Sequence, residues 1–158
     1  MTGLPGTTGL PGCYYCRKHI TGEDAPPGGW LIEDEHWYVG HGLPHMSLPG
    51  TVRIESRRHF LDFAEMTGAE AASFGSLLAT LYRVLRPVTG AERVHLLATM
   101  DFQPHFHAWL YPRAPDEPLR ATAFLDAGME CSQAGAEAAA AQIRAALSLA
   151  SAPRESWL

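Results

Sequence analysis

The chain has 158 residues, of which 46% are hydrophobic and 18% charged, and its formal net charge is −5. This length fits one domain that buries a core without disulfides. The acidic balance provides no basic surface for a nucleic-acid backbone, and no run of about 18 apolar residues offers a membrane span. Because residues 1–12 also lack the charged-then-apolar pattern of a secretion signal, we expect a cytoplasmic protein that binds neither nucleic acid nor membranes.

The N-terminal region divides into a tail and the start of a domain. Residues 1–12 repeat Leu-Pro-Gly and predict a flexible tail, followed by a single domain over residues 13–158. The domain opens with Cys13-x-x-Cys16, which in a reducing compartment indicates a metal half-site or a redox pair. The flanking residues lack the βαβ context of a thioredoxin-like pair, which favours the metal. Cys131 is far away in sequence and is expected to be a small residue with at least partial burial.

Two segments before residue 60 are expected to form antiparallel strands. Residues 30–41 contain two aromatic and β-branched runs separated by the acidic residues 33–35, which indicates a hairpin. Residues 50–56 follow, and here Val52 and Ile54 alternate with polar residues. This alternation is typical of a half-buried strand.

Two helices are predicted in the rest of the chain. Thr67-Gly-Ala-Glu70 has the form of a capping box and precedes apolar residues at helical spacing, which predicts a helix over about 68–86. Pro87 and Gly90 are expected to stop it. An alanine-rich segment predicts a C-terminal helix over about 132–150.

Between the helices lies the stretch with the most distinctive chemistry. Residues 94–100 predict a strand, residues 101–104 a turn, and the following residues a strand that pairs back. Because alternate side chains share a face of a strand, His105, His107 and Trp109 are expected to project to one side. Two imidazoles on one face suggest a functional site.

A zinc site with four protein ligands needs two partners for the cysteines. His59 ends one predicted strand and His105 begins another, so these two histidines are expected to meet beside Cys13 and Cys16. His19, three residues after Cys16, is the competing ligand.

From Cys13 to Arg113, the sequence resembles the histidine-triad superfamily of nucleotide hydrolases and transferases, particularly its zinc-containing bacterial branch. The resemblance rests on four motifs in order: Cys13-x-x-Cys16, the acidic turn Glu33–Trp37, the strand Gly50–His59, and His105–Arg113, which resembles the triad motif and the Pro-Arg that follows it. It implies an α+β fold, with an antiparallel sheet of about five strands, a long helix and a C-terminal helix, assembled as a homodimer.

The resemblance also implies roles for individual residues. His105 would be the first triad histidine and the fourth ligand of a structural zinc, with Cys13, Cys16 and His59. His107 would be the middle histidine and the catalytic nucleophile, acting on a small-molecule nucleotide or related phosphate compound.

Three departures from the family pattern concern the substrate. Trp109 stands where the third histidine belongs, and the phosphate loop is shortened to residues 101–104, which leaves Gln103 as the phosphate-side donor. The segment from His41 to His45 replaces the expected ribose-binding Asp or Asn. Gln103, Trp109 and His41 are therefore the candidate substrate-binding residues.

These features support a divergent histidine-triad hydrolase or transferase that cleaves a phosphate–heteroatom bond through a covalent intermediate on His107. The alternative is a non-catalytic, zinc-stabilised histidine-triad fold that binds a ligand or a protein partner, as Trp109 and the shortened loop suggest. A third hypothesis places His41, His45 and His107 around a second, catalytic metal.

Overall fold

A computed structural model describes residues 9–151, and these residues form four α-helices and five β-strands. In chain order the elements are α1 (Tyr14–Thr21), β1 (Ile32–Glu33), β2 (Trp37–His41), β3 (Val52–Ser56), α2 (Gly68–Thr89), β4 (Arg93–Leu97), β5 (His107–Arg113), α3 (Ala121–Leu125) and α4 (Gln133–Ala150). Most of the predicted tail and the end of the predicted domain lie outside the described residues. None of the described helices is long and apolar enough to cross a membrane.

The five strands form one antiparallel sheet in the order β1-β2-β3-β5-β4. The predicted α+β fold with a five-stranded antiparallel sheet is confirmed, and the predicted hairpin appears as β1 and β2. β3 lies at the centre and pairs with both β2 and β5. In these pairs Ile54 lies opposite Val39 and Ala108, whereas Glu55 lies opposite Tyr38 and His107.

The two faces of the sheet carry different residues because strand side chains alternate. One face carries the fully buried Val39, Ile54 and Ala108, which belong to the hydrophobic core formed with helices α2 and α4. The opposite face carries polar and aromatic side chains, among them Arg53 and Glu55, and α1 lies against it through Lys18. The core therefore lies on one side of the sheet and the candidate site on the other.

The expectation that residues 50–56 form a half-buried strand is wrong in one respect. All five residues of β3 are buried, including Arg53 and Glu55. The polar residues alternate with apolar ones as predicted, but α1 covers their face instead of solvent. In β3, the alternation of apolar and polar residues therefore separates two buried faces of different chemistry.

The long helix is confirmed, although it continues past its predicted stop. Its capping box is present: Thr67 Oγ1 accepts a hydrogen bond from Glu70 N, and Glu70 Oε2 accepts one from Thr67 N. Pro87 does not end the helix. It lies in the last turn, where its missing N–H removes only one helical hydrogen bond, and Gly90 ends the helix in the left-handed conformation with φ +69°.

Two short helices were not predicted. Helix α1 begins immediately after Cys13, whose Sγ accepts a hydrogen bond from Cys16 N at 3.5 Å, and Gly22 caps its other end. Helix α3 follows the proline-rich loop. Short helices carry little periodic signal, and their stability depends on tertiary contacts. The C-terminal helix α4 follows its N-cap, Ser132, as expected.

Candidate metal centre and active site

Four side chains from separate parts of the chain converge at one end of the sheet. Cys13 and Cys16 flank the first turn of α1, His59 follows β3, and His105 lies in the bend before β5. One ligand atom from each of these four residues lies within 4.8 Å of all the others. The sequence predicts these four residues as one metal site, and in the described structure they form a group that could hold a metal ion.

The distances between the donor atoms are short and similar. The Nδ1 atom of His105 lies 3.5 Å from Cys13 Sγ, 3.6 Å from Cys16 Sγ and 3.2 Å from His59 Nδ1. Cys16 Sγ lies 3.5 Å from His59 Nδ1. Four donors at these spacings surround a central point that one metal ion can occupy.

Backbone contacts set the orientation of the His105 ring. Its Nε2 lies 2.7 Å from the carbonyl oxygen of Ser56, which can only accept, so Nε2 carries the proton and donates. Nδ1 then presents a lone pair to the cysteines. Burial lowers the pKa of His105 to about 4, so the ring is neutral at physiological pH. A backbone carbonyl that accepts from the ring nitrogen opposite the ligand atom is typical of metal-binding histidines.

His107 lies two residues further along, on the sheet face covered by α1. Its Nδ1 donates to the backbone carbonyl of His105 at 2.8 Å, which fixes the tautomer and leaves a lone pair on Nε2. Tyr15 of α1 packs against the ring, with 4.8 Å between ring centroids. Burial also lowers the pKa of the His107 imidazole. The ring is therefore neutral and held in a fixed orientation.

Beside His107 lies a buried group of charges centred on Glu55. The two carboxylate oxygens of Glu55 accept hydrogen bonds from Lys18 Nζ at 2.5 Å, Arg53 Nε at 2.6 Å and His19 Nε2 at 2.6 Å. Lys18, Arg53 and Glu55 are all at most 4% exposed. Burial alone would raise the pKa of Glu55, but the hydrogen bond from His19 and the charges of Arg53 and Lys18 outweigh it and lower the pKa to about 2. Glu55 is thus an anion that links α1 to β3.

Trp109 extends the same face beyond His107. Its ring lies 5.1 Å from the Arg53 guanidinium carbon and stacks on Tyr111 with 5.8 Å between centroids. A Cβ added at Gly42 would collide with the Ser47 side chain and lie 2.9 Å from the Trp109 ring. The glycine therefore makes room for the indole.

Comparisons with family models and with curated proteins find no match. The fold resembles a Zn-bound histidine triad family protein from Mycobacterium smegmatis, with a TM-score of 0.67 and 18% identity over 88% of this chain and 95% of that one. The chain has the histidine-triad fold. A hypothetical histidine triad nucleotide-binding protein from Sulfolobus tokodaii strain 7 gives a TM-score of 0.67 at 14% identity over 84% of this chain and 90% of that one. A uridylyltransferase gives 0.62 at 24% identity, covering 87% of this chain and 45% of the other.

Some candidate residues lie elsewhere in this histidine-triad fold than the sequence suggested. His41 is fully buried; its Nδ1 contacts Gly42 O at 2.7 Å, and its Nε2 accepts from Gly50 N at 2.8 Å. Both nitrogens are thus used by the backbone, which leaves His41 unsuited to bind substrate or a second metal. His19 binds Glu55 and lies outside the four-residue metal group.

Gln103 lies in the exposed segment before His105, whose backbone N–H donates to the Gln103 carbonyl oxygen at 2.8 Å. The structure records no hydrogen bond of its side chain among the described residues. Trp109, in contrast, lies on the same sheet face as His107, as predicted.

Sequence reasoning missed the residues that surround His107. Tyr15 and Lys18 lie on α1, which was not predicted, and Arg53 and Glu55 were expected on an exposed strand face. The sequence nevertheless contains a strong signal: in β3, which pairs with the strand that carries His107, the charged residues Arg53 and Glu55 are separated by one apolar residue. On a strand that is central to a histidine-triad fold, that pattern indicates a buried ion pair beside the site.

The Glu55 cluster gives a stability prediction. Replacing Glu55→Gln leaves the buried Lys18 and Arg53 without their carboxylate, and we expect a loss of roughly 3–5 kcal/mol in unfolding free energy. Urea denaturation of the parent chain and the variants measures this loss of unfolding free energy. The matched control is Glu23→Gln, which removes the carboxylate of the Arg17–Glu23 pair, exposed on both sides, and should change stability little. Equal stability of the two variants would contradict the role of Glu55.

The same residue predicts a pH dependence. Folded Glu55 stays ionised down to about pH 2, whereas in the unfolded chain it titrates near its ordinary value of 4.5. The unfolded state therefore binds more protons in this range, so the Glu55 contribution to stability is lost as pH falls from about 4.5 to about 2. The stability difference between the parent chain and Glu55→Gln should shrink over that interval.

Proposed function

We propose that this chain is a divergent histidine-triad hydrolase or nucleotidyltransferase that cleaves a phosphate–heteroatom bond through a covalent intermediate on His107. The observation that carries the proposal is the hydrogen bond from His107 Nδ1 to the His105 carbonyl, which directs the Nε2 lone pair away from the backbone. No described residue hydrogen-bonds to Nε2. A neutral imidazole in this state is a competent nucleophile for phosphorus.

The reaction divides into two displacements. The Nε2 lone pair of His107 forms a bond to phosphorus, while the bond from phosphorus to the leaving heteroatom breaks and the leaving group takes the electron pair. The attached imidazole is now cationic and remains a good leaving group. Water or another acceptor hydroxyl then attacks phosphorus, its proton passes to solvent, and the electron pair of the breaking P–N bond returns to Nε2.

Trp109 restricts the leaving groups that this site can expel. The indole has one N–H donor and exchanges no proton near neutral pH, so it cannot protonate a departing atom as an imidazolium would. Leaving groups that are stable as anions, such as the phosphate of an anhydride, suit the site. Alkylamines of phosphoramidates, which must be protonated to leave, do not. We therefore propose a phosphoric anhydride, in a nucleotide or nucleotide-like compound, as the preferred substrate class.

We further propose that Cys13, Cys16, His59 and His105 hold a structural zinc. Neighbouring donors around a tetrahedral zinc stand about 3.3–3.8 Å apart, given bonds of about 2.3 Å to sulfur and about 2.0 Å to nitrogen. Two thiols, two imidazoles and donor separations of 3.2–3.6 Å fit this ion. Four protein ligands leave no open position for substrate, so the ion would connect α1 to the ends of the central strands. Metal-binding thiolates also support a location in the reducing cytoplasm.

The zinc proposal predicts one zinc per chain by elemental analysis. Cys16→Ser should lose the metal and lower the melting temperature by roughly 10 °C or more, because a structural zinc contributes several kcal/mol. Cys131→Ser, at the half-buried cysteine outside the cluster, is the control and should keep both metal and stability. Equal zinc content in the two variants would reject the assignment.

The nucleophile assignment predicts that His107→Ala lowers turnover of a phosphoric anhydride at least about a thousandfold, because no covalent intermediate can form. A nucleoside diphosphate ester provides the substrate, and mass spectrometry of quenched protein should find the histidine adduct only in the parent chain. His36→Ala, in the turn between β1 and β2, is the matched control. Zinc content should be unchanged in both variants.

Unchanged turnover in His107→Ala would disprove the mechanism. The alternative, a non-catalytic ligand-binding protein, is favoured by Trp109 and predicts no turnover by the parent chain across anhydrides and phosphoramidates, despite measurable binding. Faster cleavage of alkyl phosphoramidates than of anhydrides would contradict the leaving-group argument.

We also propose that the chain forms a homodimer along the outer edge of β4. Among residues 9–151, no strand pairs with this edge; Leu96 on β4 and Phe102 in the loop that follows β4 are 41% and 95% exposed. Unpaired strand edges and exposed apolar side chains favour association with a second copy.

Light scattering should therefore report twice the chain mass for the parent protein and a shift toward monomer for Phe102→Ser. The control is Leu149→Ser, which changes an equally apolar, 79% exposed residue on α4 and should leave the mass unchanged. A monomeric parent chain would overturn the proposal.

A further inference from the structure

We propose that Arg53 binds an anionic oxygen of the ligand beside His107 and so acts as a specificity-determining residue for phosphoryl compounds. This inference rests on the proposed function for the position of the phosphoryl group, but the anion site itself can be tested separately. It begins from the placement of two side chains. Arg53 pairs with Trp109 and Glu55 pairs with His107 in the β3–β5 register, so Arg53 and His107 are diagonal neighbours on one sheet face.

Tyr15 of α1 contacts both groups. Its ring lies 4.8 Å from the His107 ring centroid and 5.3 Å from the guanidinium carbon of Arg53. His107 and Arg53 therefore contact the same ring, in addition to being diagonal neighbours on the sheet.

The guanidinium is held from one end only. Its Nε donates to Glu55 Oε1 at 2.6 Å, and the rings of Tyr15 and Trp109 lie 5.3 Å and 5.1 Å from its central carbon. The side chain is only 4% exposed. Yet its two terminal amino groups, which carry four N–H donors, have no acceptor among residues 9–151. These nitrogens are not among the fully enclosed unpaired polar atoms of the described residues, so a ligand can reach planar donors that the protein itself leaves without an acceptor.

The charge balance points to the same ligand class. Lys18 and Arg53 are buried cations, and Glu55 is the one buried carboxylate between them. His19 contributes a hydrogen bond, and Asp24, the next carboxylate, accepts from Tyr14 at an exposed position. The cluster thus holds one positive charge in excess. Buried charge without a counter-ion is costly, so an anion is the ligand that balances the site.

The chemistry of arginine favours phosphate over other anions. Two parallel N–H groups of a guanidinium match two oxygens of a phosphoryl group in a bidentate pair. Such a pair would stabilise the negative charge on the non-bridging oxygens during attack by His107, without supplying a proton. Trp109 then serves as the surface on which the guanidinium lies.

The test compares phosphate binding by the zinc-loaded full chain and its Arg53 variants. Isothermal titration with inorganic phosphate should give at least tenfold weaker binding for Arg53→Met, and an intermediate loss for Arg53→Lys, which keeps the charge but not the planar fork. Arg93→Met, at an exposed arginine on β4, is the control and should bind as the parent does. Titration with acetate distinguishes phosphoryl from carboxylate binding, and phosphate should bind at least tenfold more tightly.

The variants should fold, because Arg53→Met leaves Lys18 and Glu55 as a balanced pair. Thermal melting provides a second measure: phosphate should raise the melting temperature of the parent and of Arg93→Met but not that of Arg53→Met. Equal phosphate affinity in the parent and Arg53→Met, or equal affinity for phosphate and acetate, would overturn the inference.

Activity separates this inference from the proposed function. If His107→Ala loses turnover but retains Arg53-dependent phosphate binding, both the proposed function and the anion site at Arg53 are supported. Arg53-dependent binding in a parent chain without turnover supports the anion site and rejects catalysis. Turnover that needs His107 but is unchanged in Arg53→Met supports catalysis and rejects the role of Arg53.

Discussion

The buried carboxylate of Glu55 is the interaction on which the candidate site depends. It lies on the central strand and accepts hydrogen bonds from Lys18 and His19 of α1 and from Arg53 of its own strand. A short helix of eight residues has little stability of its own, so these bonds and the cysteine cluster fix its position. Since α1 also carries Tyr15, which packs on His107, Glu55 indirectly orders the sheet face that carries His107.

Two histidines separated by one residue take part in different chemistry because the backbone changes conformation between them. His105 lies in the bend before β5, and its ring is directed toward the cysteines by the Ser56 carbonyl. His107 is the first residue of β5 and faces the space below α1. The backbone carbonyl of His105 accepts a hydrogen bond from Nδ1–H of His107, so the residue that belongs to the metal group also sets the tautomer of the proposed nucleophile.

The parts of the site that sequence could predict are those with fixed chemical identity and spacing. Cys13, Cys16, His59 and His105 were identified because few residue types bind metals, and strand order then placed them together. Arg53 and Glu55 were not identified, since the alternation of apolar and polar residues along a strand does not reveal what covers the polar face. That cover is α1, a helix whose existence depends on long-range contacts that no local pattern encodes.

The indole of Trp109 and the guanidinium of Arg53 opposite it are physically linked. In the β3–β5 register a side chain at position 109 lies directly across from the guanidinium, and a protonated imidazole there would be repelled by it. An indole instead accepts the cation on its face, 5.1 Å from the ring centroid, and Gly42 leaves space for its width. Trp109 thus provides a support for a permanent cation, where the histidine-triad motif would provide a group able to carry a proton. A permanent cation stabilises phosphoryl oxygens but protonates no leaving group, and this property is the physical basis for proposing anhydrides, whose leaving groups depart as anions, as the substrate class.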